Sequence, residues 1–160
     1  MGVHTYTGEF ESPVSPARLF KGCVLHLHEI APKVVPGVVK SGALIEGDGG
    51  AGSIKEYHFT EVVPFKHVRE RVEELDKEKH VCKYSVAEGG TLGTKYKAAT
   101  HTLSFEPTPS GGSVCKVVGE VHGLEGVDFT EQDEAQTKEG ILGTLKAVDA
   151  YLQANPDVYA

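Results

Sequence analysis

The sequence predicts an α+β domain in which a strongly curved antiparallel sheet of seven strands wraps one long C-terminal helix. Three observations carry this reading. Between residues 38 and 122 the turn signals "EGDGGAG", "EGGTLG" and "PTPSGG" separate runs of alternating side chains, as an antiparallel meander requires. The last 30 residues instead space their apolar groups for a helix. Only two short helical stretches, limited by prolines, interrupt the strands.

In chain order, "VHTYTGEFES" reads as a first strand over residues 3–12. "SPARLFKGCVL" then opens a short helix, with Ser15 as N-cap and Pro16 at the first helical position, where the missing N–H would have no partner anyway. In "LHEIAPKVVPG" the prolines Pro32 and Pro36 keep a second helix brief and end it before the extended "VVKSGALIEG". From there strands dominate, through "SIKEYHF", "HVCKYSVAEG", "KYKAATHTLSFE" and "GGSVCKVVGEVHG". Beyond "HGLEGVDF", Thr130 and Asp133 have the spacing of a capping box, and Ile141, Leu142, Leu145, Val148, Tyr151 and Leu152 recur at helical intervals up to Pro156. This predicts a helix over residues 130–154. Gly140 and Gly143 lie inside it at a cost of about 1 kcal/mol each relative to Ala. Two reasons would account for them: close packing against the sheet, or a bend or small-residue gap above a cavity. A single helix fills a curled sheet poorly, so a large internal cavity is expected.

With 160 residues the chain is long enough for one core, and residues 1–160 read as a single domain. No apolar run approaches the roughly 18 residues of a membrane span, and "MGVHTYTGEF" has neither a basic start nor an apolar h-region, so no membrane and no secretion are expected. Tyr6 stands where a myristoylation signal needs Ser or Thr. Cys23, Cys82 and Cys115, odd in number and widely spaced, predict reduced thiols in the cytoplasm rather than a disulfide framework. The net charge of −7 argues against a protein that holds nucleic acid by neutralising phosphates, a local basic patch being the alternative. The densest basic run, "FKHVRERVEELDKEKH", is interleaved with glutamates as on a solvated strand face.

Gly47, Asp48, Gly49, Gly50 and Gly52 contribute to a literal G-x-G-x-x-G pattern. In a dinucleotide site such a loop leads from a strand into a helix, but here "SIKEYHF" alternates Lys55, Tyr57 and Phe59 against Ile54, Glu56 and His58 and predicts a strand. Lys55 is also three places beyond Gly52, too far for a P-loop, and Asp48 would repel a phosphate. The stretch is therefore read as a glycine-rich connection between strands, with no cofactor expected.

Period two exposes the inner face of each strand. Lys97, Ala99, His101, Leu103 and Phe105 form one inner set, Cys82, Tyr84 and Val86 a second, and Cys115, Val117, Gly119 and Val121 a third. The mixture of small, aromatic and polar groups is more like a ligand pocket than a packed core, though His101 and Tyr84 could equally be hydrogen-bonded core groups. Inward Lys97, His101 and Tyr84 could act as acid or base on a bound small molecule. No G-x-S-x-G elbow or other nucleophile motif assigns catalytic residues. Among eight histidines, His26 and His28 are the tightest pair, but on a helix they diverge by about 200° and no ligand set completes them, so no metal site is assigned.

The passages "SPARLFK", "APKVVP", "IEGDGGAGSIK", "PFKHVRERVEELD", "YSVAEGG", "TPSGG" and "LKAVDAYLQANPDVYA" resemble the plant class-10 pathogenesis-related proteins, the family of the major birch pollen allergen, over the whole length. The resemblance implies a helix-grip (START-like) fold, with the two short helices in a V and a forked cavity for amphipathic plant molecules such as cytokinins, brassinosteroids, flavonoids and other phenolics. It implies a monomeric protein associated with defence or hormone response. It also implies that Val38, Tyr57, Phe59, Phe65, His67, Cys82 and Tyr84 line the cavity, together with Val86, His101, Leu103, Cys115, Val117, Ile141 and Leu145. This chain departs from the allergen-like pattern at His67 and Cys82, where tyrosines are usual, and at His101, where a small polar amide is common. Some relatives look like small-molecule condensing enzymes or isomerases. The ribonuclease pattern proposed for the family is matched by Lys55 and Tyr151, shortened at Asp149 and broken where Lys97 replaces a glutamate.

Overall fold

A computed structural model describes residues 2–160 and places seven strands in one antiparallel sheet of order β1-β7-β6-β5-β4-β3-β2. The strands are β1 (Val3–Ser12), β2 (Val39–Glu46), β3 (Ile54–Phe59), β4 (His67–Asp76), β5 (Val81–Gly89), β6 (Tyr96–Pro107) and β7 (Ser113–Gly123). Consecutive strands from β2 to β7 pair as hairpins, and β1 closes the order by pairing with β7 from Val3↔His122 to Ser12↔Ser113. The first strand thus joins the last, as the alternation of "VHTYTGEFES" and the meander together predict.

Helices α1 (Pro16–Phe20) and α2 (Leu27–Val34) are separated by a π-helical turn, Lys21–Leu25. Ser15 caps α1 by accepting the Arg18 amide, and Pro16 occupies the first turn as expected. Pro32 does not end α2. It lies in the last turn, where its absent N–H removes a single i→i−4 bond and little helix remains to be kinked.

Helix α3 (Glu131–Ala154) begins with the predicted capping box: Asp133 N–H donates to the Thr130 hydroxyl, and Thr130 N–H donates to the Asp133 carboxylate. Its last turn contains no basic residue. Arg18 supplies the missing cation from α1, with Nε donating to the Val158 carbonyl and Nη2 to those of Leu152 and Asn155. One guanidinium therefore satisfies carbonyls at the negative end of the helix dipole and ties α1 to the C-terminus. Gly140 and Gly143 face outward, with no atom within 4 Å of where a Cβ would stand. Neither close packing nor a gap over a cavity accounts for them.

The apolar interior falls into three clusters rather than one. The largest gathers Leu19, Phe20, Leu103, Phe105, Val117, Leu145, Val148 and Leu152 where α1 and the C-terminal half of α3 meet the sheet. A second contains Tyr6, Tyr96, Ala99, Val121 and Phe129, and a third Ala31, Val39, Tyr57 and Val68. Partly buried hydrophobics link them, Leu27 packing against the first and third clusters and Val86 against the second and third.

Candidate functional site

The concave face of the sheet carries the candidate site, and strand register determines its layout. Tyr6 of β1 stands opposite Gly119 of β7, Gly119 opposite His101 of β6, His101 opposite Tyr84 of β5, and Tyr84 opposite Val72 of β4. These residues form a straight row across five strands. Gly119 makes the row possible, because a Cβ there would overlap the Tyr6 ring. That ring crosses the glycine, and its hydroxyl meets His101 Nε2. The Tyr84 ring stacks on the imidazole from the other side, with centroids 5.3 Å apart and planes at 28°.

Three ionisable groups occupy the adjoining interior. On β4, alternation sends Val68, Glu70 and Val72 inward, and Glu70 lies opposite Lys55 of β3. Desolvation raises the Glu70 carboxyl to about 7, with the Lys55 cation opposing that shift. Burial in turn lowers Lys55, a residue 7% exposed whose ammonium donates to the Val24 carbonyl of the π-helical turn at 2.7 Å. Cys82 is raised to about 11 by burial, which keeps it a thiol. Glu70 and Tyr84 are half-buried on the inward faces of β4 and β5.

Of the residues expected in the cavity, Tyr57, Cys82, Tyr84, Val86, His101, Leu103, Cys115 and Val117 all lie on inward positions of their strands. Leu103, Cys115, Val117 and Leu145 belong to the packed cluster, while Ile141 lies at its margin. Phe59 and Phe65 form an edge-to-face pair with centroids 5.3 Å apart at the β3–β4 connection.

Three orientations differ from expectation. Val38 is 37% exposed, because the turn set by Val35 accepting the Val38 and Val39 amides starts the strand at Val39, which takes the inward place. His67 points outward, in register with Arg69, and its Nε2 lies 3.0 Å from Glu88. Lys97 is exposed, because a bulge between Tyr96 and Ala98 in the pairing with β7 shifts the alternation and turns Tyr96 inward instead.

The glycine loop uses its own polar groups. Gly47, Gly49 and Gly52 adopt positive φ, the Gly49 amide donates to Ser53 Oγ, and the Gly50 amide donates to Asp48. The Gly52 amide donates to the Val72 carbonyl, which fastens the loop to β4. The chain then enters β3, so no helix N-terminus faces a phosphate.

The residues of the ribonuclease pattern are engaged elsewhere. Asp149 is buried and accepts from Ser12 Oγ and Gln153 Nε2, Lys33 lies 5.0 Å over the Tyr151 ring, and Lys55 is held by Val24. Among the described residues no group of three or more His, Cys, Asp or Glu is arranged to hold a metal, and no helix is long and apolar enough to cross a membrane.

Sequence reasoning missed Glu70 and Tyr6. Both were accessible to the same period-two argument, since Glu70 alternates with Val68 and Val72, and Tyr6 with Gly8 and Phe10. The glutamate was hidden within a run whose other charges face solvent.

A seven-stranded antiparallel sheet closed around a long C-terminal helix, with a polar row on its concave face, defines a helix-grip protein. The chain belongs to the pathogenesis-related protein Bet v 1 family, which it matches over residues 1–155. It is 41% identical over 157 residues to a probable intracellular pathogenesis-related protein T1 of Catharanthus roseus, covering 98% of this chain and 99% of that one. It is 38% identical over 159 residues to the major strawberry allergen Fra a 1.07 of Fragaria ananassa, covering 99% of both. The crystal structure of Ara h 8.0201 superposes with a TM-score of 0.86 at 29% identity, covering 96% of this chain and 100% of that one.

Proposed function

We propose that this protein binds or carries amphipathic small plant molecules in the interior between sheet and α3, in the context of defence or hormone response. Cytokinins, brassinosteroids, flavonoids and other phenolics are the classes that the family resemblance implies. The observation that carries the reading is the half-buried, inward placement of Glu70 and Tyr84, polar groups beside Val86 and Cys82 on the concave face. A mostly apolar site with a few placed hydrogen-bonding groups is what such ligands require. Binding of this kind needs no cofactor, metal, nucleic acid or membrane. A cytoplasmic monomer is part of the same proposal, and the name of the Catharanthus relative supports the intracellular setting.

The test is displacement of an anilinonaphthalene dye by a cytokinin and a flavonoid, followed by calorimetric titration of wild type and Tyr84→Phe. Loss of one neutral hydrogen bond, about 1 kcal/mol, predicts roughly fivefold weaker binding of a hydroxylated ligand with the dye nearly unaffected. If neither the dye nor any ligand binds, the carrier reading fails.

A second reading, chemistry on the bound molecule, has one specific observation in its favour. Glu70, raised to about 7 and facing the interior, is suited to exchange a proton near neutral pH, unlike the outward Lys97. Turnover that vanishes in Glu70→Gln while binding persists would support it.

A further inference from the structure

His101 presents an unusual combination of contacts. Its ring is 4% exposed, its Nε2 meets the Tyr6 hydroxyl, and its Nδ1 is buried without any hydrogen-bond partner. A neutral imidazole has one N–H donor and one bare acceptor nitrogen, and the bond made by one nitrogen determines what the other can do. Burial keeps the ring neutral by lowering its proton affinity, and the same desolvation raises Tyr6, so the phenol retains its proton. Of the two ways to make one bond between them, phenol to imidazole is the better matched, because the phenol is the stronger donor and the ring nitrogen the stronger acceptor. Tyr6 O–H therefore donates to Nε2, and the ring proton resides on Nδ1. An N–H buried without an acceptor is costly, and buried polar groups of this kind are ordinarily satisfied.

We propose that Tyr6 is a positioning residue that fixes His101 as the Nδ1–H tautomer, and that this N–H is the donor for an acceptor oxygen, such as a carbonyl, of the interior ligand. The ligand half of the proposal rests on the carrier reading above. Tyr84 stacks on a face of the imidazole, so the acceptor of the Nδ1–H must lie near the ring plane. On the other side of Tyr6 a pocket of about 240 Å³ lies between β1 and α3, with Tyr6 at one wall and Glu134, Ala135, Lys138 and Glu139 of α3 at the others. The site thereby favours ligands that bring an oxygen acceptor over equally shaped ones that bring only carbon.

The experiment uses the full chain with two probes of nearly the same shape, 2-acetylnaphthalene and 2-ethylnaphthalene, which differ in carbonyl against methylene. Long-range proton–nitrogen correlation on histidine-labelled protein, with His101 assigned by its absence in His101→Gln, reads the tautomer directly. In wild type the proton is expected on Nδ1, and its resonance should shift when the ketone is added but not when the hydrocarbon is. In Tyr6→Phe, which keeps the ring and its packing, the proton should redistribute to Nε2. The ratio of ketone to hydrocarbon affinity should fall roughly fivefold in Tyr6→Phe and in His101→Leu, the change expected for one neutral hydrogen bond. A wild-type proton on Nε2, or an affinity ratio equal in all three proteins, overturns the proposal while leaving the carrier reading intact. Absence of saturable binding by both naphthalenes and by the anilinonaphthalene dye overturns the carrier reading and the ligand half together, and the nitrogen spectra then decide the tautomer alone.

Discussion

Exchanging Glu70 for Gln should change how stability responds to pH, and the direction follows from the form of each buried group that the fold prefers. Burial pushes the Glu70 carboxyl from 4.5 up to about 7. Between those values the native protein holds a proton that the unfolded chain has released, so this contribution is fully present below pH 4.5 and lost as pH rises through 7. At about 1.4 kcal/mol per pH unit the interval corresponds to about 3 kcal/mol. Burial moves His101 the other way, from 6.5 to about 4. Here the unfolded chain takes up the proton first, so the contribution is complete above pH 6.5 and lost as pH falls toward 4, over a similar about 3 kcal/mol. His28, also lowered chiefly by burial, acts in the same direction as His101.

Between pH 4.5 and 6.5 the carboxyl and the imidazoles oppose one another, and wild type should show a nearly flat profile. Urea unfolding at pH 4.5, 5.5, 6.5 and 8, at constant ionic strength, measures it. In Glu70→Gln the histidines act alone and stability should climb with pH, exceeding wild type at pH 8 by up to about 3 kcal/mol and converging on it near pH 4.5. In His101→Leu the carboxyl dominates and stability should fall with rising pH. Three parallel curves would refute the placement of Glu70 and His101 in a desolvated interior.

Arg18→Ala should destabilise by about 2–3 kcal/mol, because it leaves carbonyls at the end of α3 without their charged donor, and an unchanged urea midpoint would contradict this. Gly140→Ala with Gly143→Ala should stabilise by about 1–2 kcal/mol and raise Tm, since both sites face outward with room for a methyl group; destabilisation would show that their backbone is needed as it is. Gly119→Ala should displace the Tyr6 ring and cost on the order of 2 kcal/mol, mostly relieved in a Tyr6→Ala background, and equal costs in both backgrounds would mean that the ring does not cross Gly119.

Much of the fold is legible in the residues because local and tertiary preferences agree. Glycine-containing turns separate β2 from β3, β5 from β6 and β6 from β7, Thr130 and Asp133 announce the start of α3, and Ser15 and Pro16 that of α1. Pro32 and Pro36 bound α2 to eight residues as read, and Pro32 itself is tolerated inside the last turn because little helix remains for its missing N–H to disrupt. The π-helical turn at Lys21–Leu25 has no periodicity of its own within a five-residue span. The cap from Arg18 joins positions more than 130 residues apart, and no local pattern encodes such a contact.

The site is legible to the extent that strict alternation holds. Cys82, Tyr84, His101, Leu103, Cys115 and Val117 follow period two and lie inward, whereas Lys97 is misplaced by a one-residue bulge, since a slip of one position turns a side chain to the opposite face. Alternation assigns faces but not partners. That Tyr6 reaches His101 depends on Gly119 between them, a relation visible only once β1 is paired with β7. These polar groups are expensive for a fold to keep. An unpartnered buried N–H costs about 1–3 kcal/mol, and ionising Glu70 at neutral pH costs a similar amount, against a net stability of roughly 5–15 kcal/mol for a typical domain. An apolar row of the same volume would hold the sheet together better. Local rules are broken at functional sites more than elsewhere, and here the departures converge on one stretch of the concave face. That convergence is what the proposed carrier role requires, and it is what the dye and ligand titrations test.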